Sequence, residues 1–240
     1  HPLLWLVLVS CFWLVGLKRI AFPALASGLL SALLLRRMPE KAARQTALCV
    51  AVAMMAVSFL YIAGIRYGLF EFLEMRLGLD TKGRALLFAN VEPYYEISFT
   101  YIGRGTGFER MVEWLSGTMQ TVPLRTQTQI HNDFLRMYLN IGFFGYWIWL
   151  WSWLPARLNY WFRQAGKDAG CLFLGICTYC FVLYATDNTI YYPYTIIACT
   201  LIPMVCQFDA QAKAALERQC IQWGGEKESG SGREAANIER

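Results

Sequence analysis

Apolar runs of near-bilayer length, separated by short clusters of arginine and lysine, restrict this chain's fold more than any other feature of it. A hydrophobic stretch of about 20 residues can cross a lipid core as a helix. The runs are Leu3 to Leu17, Ile20 to Leu35, Thr46 to Ile65, Asp133 to Leu154, Cys171 to Tyr184 and Ile190 to about Phe208. Lipid offers backbone groups no partner, so runs of this kind must satisfy their own hydrogen bonds as helices. The first two runs are short, and tilt or snorkelling flanks absorb the difference. With 56% hydrophobic and 16% charged residues among 240, the chain is more apolar than a water-soluble domain, which carries about 25% charged residues. It begins with His1-Pro2 inside an apolar run, and we read it as the C-terminal part of a longer protein. The expected fold is an all-α polytopic membrane protein with about six transmembrane helices.

Basic residues accumulate in cytoplasmic loops. Arg36, Arg37, Lys41 and Arg44 lie between runs two and three, and Arg157, Arg163 and Lys167 between runs four and five. Alternating the spans puts both loops inside and the long polar segment outside. The expected organisation is three transmembrane helices over 1–65, an extracytoplasmic segment over 66–132, three more helices over 133–208 and a disordered cytoplasmic tail over 209–240. Lys18-Arg19 breaks the pattern, because the same alternation places that pair outside. The net charge of +5 is scattered over connecting segments with no nucleic-acid-reading motif, so nucleic acid is not an expected partner.

Within the outer segment, Leu69, Phe72, Leu73 and Leu77 keep helical spacing, which predicts a helix lying on the membrane face. A turn over Gly78 to Gly83 follows, then a second short helix from Arg84 stopped before Pro93 and a further helical piece over Phe108 to Leu115. Gly103-Arg104-Gly105-Thr106-Gly107 lacks nucleotide-binding spacing, and we read it as backbone that turns sharply or approaches a ligand closely. Metal chemistry is not expected, since His131 is the one internal histidine and the outer segment has no cysteine. The eight cysteines lie in apolar runs or the tail, and Cys177 and Cys180, despite CxxC spacing, read as packing residues. No disulfide is assigned. His131 stands where the polar segment re-enters an apolar run, with several arginines in the segment before it. Histidine is the side chain suited to proton transfer near neutral pH, and arginine to multidentate recognition of phosphate.

His131-Asn132-Asp133-Phe134-Leu135, followed by Gly142 and Gly145, resembles the HN-x-x-L and G-x-x-G signature of the O-antigen ligase and O-antigen polymerase family. Gly83-Arg84 and the glycines at 103, 105 and 107 resemble elements that precede that histidine in the family. Lys18-Arg19 resembles its Ser-Arg at the outer start of a helix, with Lys in place of Ser. The resemblance covers most of residues 18–150. It implies a GT-C-like bacterial inner-membrane glycosyltransferase, inverting, metal-independent and without cofactor. Such an enzyme takes oligosaccharide from an undecaprenyl-diphosphate carrier to an acceptor glycan or lipid. Carried over residue by residue, His131 is the catalytic base or orients the acceptor, and Arg84 and Arg19 bind the diphosphate. Arg104, Arg125 and Arg136 join them by position alone. The competing expectation is a transporter or flippase for lipid-linked saccharides.

Overall fold

The computed structural model describes residues 20–81, 83–108, 130–187, 189, 190, 197 and 199–219. Leu3–Leu17, Lys18-Arg19, Arg125, nearly all of the helical piece expected after Phe108 and the tail beyond 219 lie outside them. The described chain is all α. The helices are α1 (Ala21–Arg36), α2 (Glu40–Arg66), α3 (Leu69–Leu77), α4 (Arg84–Val91), α5 (Asp133–Trp151), α6 (Arg157–Gln164) and α7 (Gly166–Thr186), with a further helical run over 199–219.

By length and composition, α2 and α7 are able to cross a membrane. α1, at 16 residues, is shorter than the usual span. α2 starts six residues before the apolar run predicted, because Glu40-Lys41-Ala42-Ala43-Arg44 are good helix formers. Its acidic first turn and basic last turn complement the helix dipole. Its 27 residues correspond to about 40 Å, enough for the core and a turn beyond it. Ala43, Ala47, Ala51, Met55, Ser58, Ile62 and Ile65 form its buried stripe, while Val52, Val57 and Leu60 on its other side are at least half exposed. Leu29, Leu30 and Leu33 of α1 are likewise more than half exposed. Apolar faces of this extent seek lipid or protein. α1 crosses α7 at glycines: a Cβ on Gly28 would lie 2.6 Å from the Gly175 carbonyl oxygen. Small residues at a crossing let backbones approach closely, as in membrane bundles.

Two expected loops lie at one end of the bundle. Arg36 pairs with Asp168 (3.0 Å), and Arg44 donates twice to Asn159 Oδ1 (2.6 and 3.1 Å). The segment after Leu154 nevertheless folds as helix where charge predicted a loop. Pro155 has no N–H to give to the ladder, which widens into a π-turn over Ser152–Ala156 and closes again as α6. Leu158, Trp161 and Phe162 then bury one face of α6 at helical spacing. The reversal comes at Gly166 (φ +80°), and bare Gly170 accepts the Phe162 ring, where a Cβ would lie 2.4 Å from the ring.

The expected span from Asp133 to Leu154 is interrupted. Gly142 has φ +72° and ψ −171°, which splits α5 in two. The strap 101–105 fills the gap: Arg104 N donates to Leu139 O (2.9 Å), Gly105 N to Asn140 O (2.9 Å), and Phe143 N to Tyr101 O (2.8 Å). The glycine-rich turn does make a close approach, and its partner is the backbone of α5. A Cβ on Gly103 would sit 2.5 Å from Asn140 O. The first half of α5 therefore reaches from the end of α7 toward the end of α2, where Tyr138 and Phe143 pack on Phe59. The longitudinal run starts at the break and continues through the π-turn into α6.

α3 and α4 form as predicted, α4 ending in a 3-10 turn that holds Pro93. Phe70 of α3 is buried against Phe88 (centroids 4.8 Å), while Phe72 and Leu77 of the expected membrane-facing stripe, together with Met75, are exposed. Beyond Asp209 the expected disorder gives way to helix as far as 219, since Ala, Lys, Leu, Glu and Gln favour it and Asp209 pairs with Lys213 one turn on (2.7 Å).

Candidate active site

The site is assembled at the C-terminal end of α7 by the start of α5. Asn132 caps α5: its backbone is extended and its Oδ1 accepts from Leu135 N (2.9 Å). Asp133, fully buried, accepts from Thr189 N (2.6 Å) and Ile190 N (2.8 Å) through Oδ2, while Oδ1 lies 3.9 Å from Arg136 Nη1. One carboxylate thus fastens the segment after α7 to the beginning of α5.

This fastening brings His131 to Asp187. His131 Nδ1 is 3.6 Å from Asp187 Oδ1, with the histidine side chain one-third exposed and the aspartate nearly buried. Asp187 follows α7 in extended conformation, its N–H bonded to Leu183 O (2.8 Å). A carboxylate beside one imidazole nitrogen orients the ring and holds the N–H on that nitrogen, the arrangement in which the opposite nitrogen serves as base.

The last carbonyls of α7 have no partner within the helix. Arg84 Nη2 donates to Thr186 O (3.0 Å), and Tyr61 OH to Ala185 O (3.1 Å). Arg84 is delivered by the turn at Gly83 (φ +77°), which starts α4. A guanidinium, a histidine and a carboxylate therefore share one helix end, and the cation suits its negative dipole.

Of the residues expected from sequence, His131 and Arg84 come together here. Arg136 is buried (6% exposed) beside Asp133 and holds the helix start. Arg104 stands at the opposite end of the first half of α5, where its Nε donates to Tyr94 O (3.0 Å). Arg19 and Arg125 lie outside the described residues. Sequence reasoning missed Asp187 and Tyr61. Asp187 had one signal, as the sole acidic residue between Asp168 and Asp209. Among the described residues no group of three histidine, cysteine, aspartate or glutamate side chains is placed to hold a metal ion.

Comparison with models of known protein families, with curated proteins and with solved structures found no match to this chain.

Proposed function

We propose that the protein is a membrane glycosyltransferase of the O-antigen polymerase or ligase type, with about six spans. In this reading it works at the outer face of a bacterial inner membrane. It moves oligosaccharide from an undecaprenyl-diphosphate-linked donor to a hydroxyl of an acceptor glycan or lipid. The observation that carries the reading is the half-open histidine backed by Asp187, with Arg84 on the same helix end. The acceptor hydroxyl attacks the anomeric carbon, the bond from that carbon to the phosphate oxygen breaks, and the configuration inverts. The hydroxyl proton passes to the His131 nitrogen turned away from Asp187. The diphosphate leaves with the bonding electrons and is met by the Arg84 guanidinium. Diphosphate is already a good leaving group, so position and charge stabilisation are the main requirements.

Full-length protein in vesicles with lipid-linked donor tests this directly. His131→Ala should lower transfer by roughly 10²–10⁴-fold, the usual worth of general acid–base catalysis, with donor binding retained. Transfer at the native rate would reduce His131 to a packing residue. A transporter of lipid-linked saccharides is the second reading, and the interruption of α5 at Gly142 favours it, because broken helices line transport sites. Movement of donor across vesicles without any new glycosidic bond would decide for it.

A further inference from the structure

At the far end of the first half of α5 from His131 lies a second feature, an open cleft of about 460 Å³. Arg66, Tyr95, Glu96, Thr100, Tyr101 and Arg104 line it. It is built on the strap: Tyr101 OH donates to Leu139 O (3.0 Å), and Tyr138 OH to the Glu96 carbonyl (2.8 Å). Tyr95 is 3% exposed, and among the described residues its hydroxyl has no hydrogen-bond partner. A buried polar group left in that state costs about 1–3 kcal/mol, and such groups call for an explanation in a missing partner or a function. Burial also raises the Tyr95 pKa, so the phenol stays protonated and can both donate and accept.

Two guanidiniums and one carboxylate, Glu96, line the cleft, and Arg66 is already paired with Glu92 beside it. A phosphate would have to displace Glu92 from Arg66 and would meet Glu96 on the exposed rim that Arg104 shares. A polyhydroxylated neutral molecule finds instead carboxylate acceptors, guanidinium donors and phenols, and each of its hydroxyls can both donate and accept. We propose that this cleft binds a neutral saccharide unit of the acceptor, at a subsite separated from His131 by the first half of α5. The proposal rests on the glycan-transfer reading. From Asp133, where α5 starts, to Leu139 is six residues, about 9 Å of helix, so the unit held here stands further back along the acceptor than the ring that reacts.

The test uses the full-length protein in nanodiscs. The probe is the oligosaccharide freed by mild acid from the lipid-linked pool of the cells that make it. Binding is read by saturation-transfer NMR without donor, and acceptor KM and kcat are read separately. Tyr95→Phe and Glu96→Gln should each weaken saccharide binding, and each should raise KM about tenfold or more while lowering kcat less. Tyr95→Phe should unfold no earlier than the native protein, since it removes only an unpartnered hydroxyl. Native affinity and native KM in both variants would overturn the subsite. So would inorganic pyrophosphate binding that both variants abolish while the saccharide does not bind. Saccharide binding lost in the variants, in a native protein that transfers nothing, supports the cleft as a saccharide site and sinks the enzymatic reading.

Discussion

Replacing Gly142 by alanine should be among the most damaging small substitutions in this protein. The residue has φ +72° and ψ −171°, a region that costs a side-chain-bearing residue about 1–3 kcal/mol. The new Cβ would lie 2.3 Å from Ile102 C, 2.4 Å from Tyr101 O and 2.5 Å from Gly103 N. These are backbone atoms, and no rotamer change relieves them. The strap must withdraw, which breaks the bonds from Phe143 N, Arg104 N and Gly105 N, each worth about 0.5–1.5 kcal/mol. The combined loss is about 3–6 kcal/mol, or roughly 10–20 °C in the thermal midpoint of a chain of this size. Gly78→Ala is the matched control. Gly78 is also left-handed (φ +62°, ψ 22°) but has nothing within 4 Å, so it should lose only the conformational cost of about 1–2 kcal/mol. Size-exclusion chromatography of detergent-solubilised protein after graded heating measures both. Equal midpoints for the two variants would refute the insertion of the strap into α5.

Other expectations follow from the same geometry. Arg84→Ala should remove most transfer while the protein still inserts, and Arg84→Lys should restore only part of it, because a point charge cannot copy the guanidinium fork; full activity in the alanine variant would make Arg84 a cap on α7 alone. Asp187→Asn should lower kcat with acceptor KM little changed, since its carboxylate orients His131 without touching substrate, and a rise in KM alone would refute that role. A cysteine at exposed Phe99 should react with a membrane-impermeant thiol reagent applied from outside, and one at Ala165 should not; the reverse would invert the orientation.

Much of the helical layout was legible because hydrophobic period and basic flanks are local signals. α1 begins and ends within a residue of its run, and α2 and α7 end within two residues of theirs while beginning six and five residues earlier. Where charge alone marked a loop, after Leu154, the reading failed, although the 158, 161, 162 spacing of apolar residues was there to be weighed against it. The break in α5 was not legible. Gly142 sits in an apolar run like any small residue, and only a strap from about forty positions earlier makes its backbone bend. The same holds for the site. His131 and Arg84 were found from residue type and neighbourhood, but Asp187 meets the histidine across more than fifty residues, and no local pattern encodes such a pairing. Arg104 and Arg136 were grouped with them by proximity in sequence, yet the first half of α5 keeps Arg104 apart, and Arg136 serves Asp133.

The strap also fixes an order of events during synthesis. Leu139 and Asn140 take their donors from Arg104 and Gly105 in place of the helix's own next turn. Those donors are made first, so the strap must wait outside the growing bundle until the ribosome has delivered α5. Any agent that captures residues 101–105 in that interval would leave α5 to close as one unbroken helix, with its start carried away from the end of α7.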